Sequence, residues 1–206
     1  ECAYSAVLLE LSGMLGSVPR STRQTSLFQK STWRVSPRNA LELQYGEMRR
    51  TAPHGAMSGA SEMDGIGSFA DSSTSDDAAV ARWDFFAKPQ LLNSVRLQVS
   101  RDVLAQRARA PSAFEQQLAN NAYRMAPQIA IDRSAGFTFG TLANANKREY
   151  PAETREQVAD AATWIHGRAA LRFGYDFNHV RDELDGMSGE NGEYSYASVL
   201  DFVSDL

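Results

Sequence analysis

A chain of 206 residues with 43% hydrophobic and 22% charged side chains has enough apolar residues to fold, which excludes a disordered segment. Its 21 Lys and Arg are scattered and outnumbered by 25 Asp and Glu, a net charge of -4, which excludes a basic nucleic-acid-binding surface. No run approaches the roughly 18 apolar residues of a transmembrane helix, a test that is blind to barrels because their strands expose only alternate residues to lipid.

In chain order, residues 3–15 place Tyr4, Val7, Leu8, Leu11 and Leu15 three and four apart, which predicts a short helix ended by Gly16 and Pro19. Cys2 is the single cysteine, so no intrachain disulfide and no thiolate cluster for zinc forms, and it is expected to pack as a small residue under a helix. The chain starts at Glu1 with no segment resembling a signal peptide, and is read as a piece of a longer protein.

From Thr25 the period changes to two. Leu27, Trp33 and Val35 fall on one parity and Lys30, Thr32 and Arg34 on the other, before a turn at residues 36–39; Leu41, Leu43 and Tyr45 then return against Glu42, Gln44 and Gly46. A second hairpin repeats this arrangement. Ala81, Trp83 and Phe85 lead to a turn around residues 88–93, and Val95, Leu97 and Val99 return against Arg96, Gln98, Ser100 and Asp102. In the third, residues 158–165 lead to His166 and Gly167, and Leu171, Phe173, Tyr175 and Phe177 return against Arg172, Gly174, Asp176 and Asn178.

Long connections join these hairpins. Residues 57–77, rich in Gly, Ser, Ala and Asp, read as a mobile loop. The connection from about residue 107 to 156 contains two apolar stretches, 128–131 and 137–139, with the pattern of a small hairpin. Beyond Asp182, a polar stretch with Gly186, Gly189 and Gly192 precedes Tyr194 and Tyr196, and Ser198 caps a helix carrying Val199, Leu200, Phe202, Val203 and Leu206.

Short turns on one side and long connections on the other are the arrangement of an outer-membrane barrel, and compact soluble domains rarely tolerate such loops. The reading is therefore all-β: an antiparallel meander forming part of a transmembrane β-barrel, with short helices near both ends. Trp33, Trp83 and Trp164 each stand shortly before a short turn, where a membrane-interface girdle belongs. Alternation is equally the signature of a soluble or cell-surface β-sandwich whose loops bind glycan or protein, and the two readings differ in whether the apolar parity meets lipid or a second sheet.

The segment Thr-Trp-Ile-His-Gly-Arg-Ala-Ala-Leu-Arg-Phe-Gly-Tyr-Asp-Phe at 163–177 resembles a barrel hairpin of TonB-dependent receptors of the class carrying an N-terminal carboxypeptidase-regulatory-like domain. The resemblance extends through Val-Ser-Pro-Arg-Asn at 35–39, Leu-Leu-Asn at 91–93, Asn-Asn-Ala-Tyr at 120–123, Gly-Phe-Thr-Phe-Gly at 136–140, Tyr-Ser-Tyr at 194–196 and Asp-Phe at 201–202. Ala169 and Ala170 depart from it, standing where that family more often has a polar or β-branched pair.

It implies a helix and loop at 1–20 and a partial receptor barrel at 21–206, with hairpins at about 25–50, 79–106 and 157–181 joined by long extracellular loops. It also implies localisation in the cell outer membrane and uptake of a large nutrient. The expected partners are the lipid bilayer of the outer membrane, a plug domain of the same protein, a TonB-type energy-coupling partner and an unknown nutrient ligand. Such barrels have about 22 strands around a plugged lumen, so six strands supply roughly a quarter of the wall.

With that resemblance, Arg96, Gln98, Arg101, Arg172 and Asp176 are expected to face the lumen, against the plug or along the substrate path. His54, His166 and His179 show neither metal-ligand spacing nor a nucleophile motif, so no enzyme activity, cofactor or metal is expected. Asp176, His179, Asp182 and Glu183 form the one candidate cation group, and are read as solvated charges near a loop.

Overall fold

The computed structural model describes residues 2–55, 63–119, 125–131, 136–142, 145, 151–184 and 189–206. The Asn-Asn-Ala-Tyr motif at 120–123, Gly186, residues 57–62 of the first long loop and the Cys2 side chain lie outside the described residues. In chain order the elements are α1 (Cys2–Gly13), β1 (Arg23–Ser36), β2 (Asn39–Ala52), β3 (Asp71–Lys88), β4 (Leu91–Arg107), α2 (Ala113–Leu118), β5 (Gln128–Ile131), β6 (Phe137–Phe139), β7 (Ala152–His166), β8 (Ala169–Glu183), β9 (Glu193–Tyr196) and α3 (Val199–Asp205). The six long strands form one antiparallel sheet in the order β1-β2-β3-β4-β7-β8, and β6-β5-β9 form a second, small sheet.

The long strands are thus the expected meander. Each hairpin closes with two residues between paired positions: Ser36 with Asn39, Lys88 with Leu91 and His166 with Ala169. Two of these turns contain proline, which presets φ, and Gly167 takes φ 61, a region that strains an L side chain. All three turns lie on one side.

The first long loop is shorter than its composition suggests. Residues 71–77 belong to β3, where Ser72 pairs with Ala52 on one side and Gln106 on the other, and Asp77 pairs with Glu47 and Arg101. Ser and Asp are poor strand formers, but the strand-propensity scale spans only about 1 kcal/mol per residue. A central strand satisfies its backbone N–H and C=O groups on two neighbours, and that outweighs the local preference. The strands therefore run to 14–18 residues, well beyond the roughly 9–11 that cross a bilayer.

This sheet has almost no core of its own. Among the described residues, the buried apolar side chains within the six strands are Ala52, Ala105 and Ala152, all near the end away from the short turns. The packed core lies past that end, where Val7, Leu11 and Met14 on or just after α1 meet Ile129 and Ile131 of β5, Phe139 of β6 and Phe202 of α3. Phe202 sets its ring edge against Phe139 at 5.7 Å and Tyr196 at 5.2 Å.

Segments before β1 and after β8 and the connections between strands thus make one cap. The expected β5–β6 hairpin forms, with Ile129 opposite Phe139, and β9 adds to it in parallel. Ser198 caps α3 as expected, its hydroxyl accepting from the Asp201 backbone N–H at 3.1 Å.

Candidate functional site

Strand alternation gives the long sheet two chemically different faces. Register lines up Leu43, Ala81, Leu97, Val158 and Phe177 on one of them, with Trp33, Leu41, Trp83, Val95 and Tyr175 in the adjacent row toward the short turns. Leu97 is 49% exposed and Phe173 63% exposed, so among the described residues no protein layer covers this face. Soluble monomers rarely leave contiguous apolar patches beyond a few hundred Å². Within the face, the Trp83 indole N–H donates to Asn39 at 3.0 Å, and the Asn93 amide donates to Asp160 at 2.7 Å.

The apolar band ends sharply on the cap side. After the row of Tyr45, Ala79 and Val99 comes a row of Glu47, Asp77, Arg101 and Arg181. Arg49 grips Asp77 with two hydrogen bonds of 2.8 and 2.9 Å, and the Tyr45 hydroxyl donates to the same carboxylate at 3.2 Å. Arg101 stands in this row, on the face of Leu97 and Val99. It therefore does not share a face with Arg96, contrary to expectation, because the two are an odd number of residues apart.

The opposite face is interlocked by polar side chains. Lys30 pairs with Glu42 at 2.9 Å, Arg82 with Asp84 at 3.0 Å, and Arg96 donates to Gln157 at 3.1 Å. The Gln157 amide in turn donates to both carboxylate oxygens of Asp176, at 2.7 and 2.8 Å. Register puts Arg96, Gln98, Arg172 and Asp176 on this one face, with Arg96 and Asp176 in a single row. Arg82, Arg96, Arg172 and Asp176 line a cavity of about 520 Å³ floored by Ala159, Ala161 and Gly174. The cation group does not converge: Asp176 and Asp182 take this face, His179 and Glu183 the other.

The hairpins are staggered. Asn39, at the end of β2, aligns through Phe85 with Asn93, two residues inside β4; Leu91, at the start of β4, aligns with Trp164, two residues short of the end of β7. The turn ends thus shift by one residue, about 3.4 Å, for each strand spacing of about 4.8 Å. With the turns in one plane the strands tilt by about 35° from its normal, as in transmembrane barrels.

A family model described as an outer membrane beta barrel domain matches residues 12–204. The chain belongs to that family. It is an outer-membrane β-barrel protein, its wall meets the lipid bilayer, and the sandwich reading is set aside, since among the described residues no second sheet lies on the apolar face. The matched span extends from α1 through the cap into α3, so the cap elements belong to the domain. The chain matches no curated protein and no solved structure.

Sequence reading missed the polar joints of the cap. Glu115 is buried in α2, where it accepts from the Ser112 backbone N–H at 2.7 Å and from the Gly140 N–H at 3.1 Å. Asn191, also buried, donates to the carbonyls of Ala126 and Thr141 at 2.7 and 3.0 Å. Ser112-x-x-Glu115 is a capping box legible in the sequence. Nothing local marks Asn191, whose partners lie 50 and 65 residues away.

Proposed function

We propose that this chain is wall and cap of a TonB-dependent receptor that takes up a large nutrient across the outer membrane. The apolar face meets lipid, with Trp33, Trp83 and Trp164 in its periplasmic girdle, and Arg96, Gln98, Arg172 and Asp176 line the lumen. A plug domain of the same protein, a TonB-type energy-coupling partner and a nutrient ligand belong to this reading. The receptor moves its ligand without altering it chemically.

The observation that carries the proposal is the folded cap. Strands rising well past the bilayer thickness lead into connections with their own apolar core, Phe139 and Phe202 at its centre. A passive pore needs no such structure, whereas a receptor for a large ligand needs a shaped extracellular surface, and loops on rigid scaffolds carry binding. The resemblance of residues 163–177 points the same way.

The test is uptake in the parent organism. Strains lacking the full-length protein and strains lacking the inner-membrane energy coupler should leave the same large solute in the medium, measured by mass spectrometry of spent medium. Uptake of that solute that persists without the coupler overturns the reading in favour of a passive channel.

A further inference from the structure

Two arginines stand directly opposite each other on the polar face, Arg82 on β3 and Arg96 on β4. Like charges in such a cross-strand pair destabilise a sheet unless something neutralises them. Arg82 has its carboxylate, Asp84 at 3.0 Å, which also accepts the Ser94 hydroxyl. Among the described residues, the hydrogen bond of the Arg96 side chain goes to the neutral carbonyl oxygen of Gln157. Asp176, the carboxylate in its row, is occupied by the Gln157 amide. Arg172 lines the same cavity, and among the described residues neither Arg96 nor Arg172 has a carboxylate within ion-pair distance.

The floor of this cavity is bare for a structural reason. Ala159 and Ala161 carry one methyl each, and at Gly174 a Cβ would fall 2.0 Å from the Asp160 carbonyl oxygen. No side chain can grow from position 174 without moving β7, so the space beside the guanidinium groups stays open. Guanidinium forks bind two oxygens of a carboxylate or phosphate at once, and their bonds to ionised acceptors are the strong ones.

We propose that Arg96 and Arg172, over the Ala159–Ala161–Gly174 floor, form a socket for an oxyanion, carboxylate or phosphate. The inference rests on the reading of this face as the lumen. The oxyanion has two sources, a dissolved solute or an acidic side chain of the plug, and both present the same chemistry to the socket.

The experiment uses the purified full-length protein and the variants Arg96→Gln, Arg172→Gln and their combination, which remove the positive charge and leave a polar side chain. Arg101→Gln, on the other face, is the control, and heat-modifiable gel migration establishes that each variant is folded. Citrate and inorganic phosphate are titrated calorimetrically, and the plug's resistance to added protease is followed in parallel. Anion binding that weakens about tenfold in each single variant, with the control unchanged, establishes the socket with a dissolved anion as its occupant. A plug that becomes protease-sensitive in the double variant alone establishes the socket with a plug carboxylate in place. Variants indistinguishable from the wild type in both measurements overturn the proposal. If uptake proves independent of the energy coupler while Arg96-dependent anion binding persists, the receptor reading fails and the socket stands.

Discussion

At Gly174 the reason for the residue is a close approach of strands rather than a turn. Gly174→Ala places a methyl against the Asp160 carbonyl, so β7 and β8 must separate locally. Folding yield and heat-modifiable migration should fall for Gly174→Ala and stay near wild type for Gly46→Ala, where the nearest atom to a new Cβ is the Phe28 ring at 4.0 Å. Equal behaviour of the two variants would refute the geometric account. Face assignment is tested one residue apart. Replacing Leu97 with Arg should cost roughly 2–4 kcal/mol if it meets mid-membrane lipid, and replacing Gln98 far less. A cysteine at 97 should react with lipid-soluble label and one at 98 with water-soluble label; reversed reactivity, or no reaction at 97, would overturn the assignment. Parity made these two positions legible in the sequence, because in a strand a side chain's face follows from counting. What counting missed is the Arg82–Arg96 opposition, which needs the register between strands and not only the period within one.

Among elements, legibility followed locality. The long hairpins carry alternation and turn residues within fewer than about 40 contiguous positions, and α3 carries Ser198 at its start. The β5–β9 pairing joins Gln128 to Glu193 across β6, the whole β7–β8 hairpin and the connections on either side of it, and no local pattern specifies it. The start of β3 was hidden by its Ser and Asp residues, since its partners on β2 and β4, and not its own propensities, make it a strand. The cap yields a pH prediction. Burial, followed by the hydrogen bond its hydroxyl donates to the Asp205 carboxylate at 2.6 Å, pushes the Tyr196 phenol up to about 12 from an ordinary value of 10.0. A folded-state pKa above the unfolded one favours the protonated form in the native cap. Its contribution is fully present below pH 10 and is lost as pH rises toward 12. Protease resistance of the cap should therefore decline between these values, and Tyr196→Phe should be less stable at neutral pH and lose less over the interval. An identical alkaline profile in the variant would remove Tyr196 from the account.

At the scale of the whole molecule, the stagger of the hairpins decides how sequence position translates into depth. In the register, Trp33 and Trp83 share a row, while Trp164 lies four residues nearer its turn end. An untilted sheet would hold Trp33 and Trp83 at one depth, with Trp164 about 14 Å below them. A tilt of about 35° changes the order, because each strand from β1 toward β8 is raised by about one residue relative to the one before. Over the four steps from β1 to β7, that rise cancels the offset of Trp164, so Trp33 and Trp164 come to the same depth. Over the two steps to β3, it lifts Trp83 by about 6 Å toward the bilayer centre. Single-tryptophan variants of the full-length protein in bilayers with lipids brominated at graded depths read this directly. Trp33 and Trp164 should be quenched most by the same shallow lipid and Trp83 by a deeper one. An indole quenched equally at every depth would not be in the membrane. Trp33 and Trp83 quenched alike, with Trp164 beyond the reach of every brominated lipid, would mean that the strands stand upright and that the stagger arises from the turns alone.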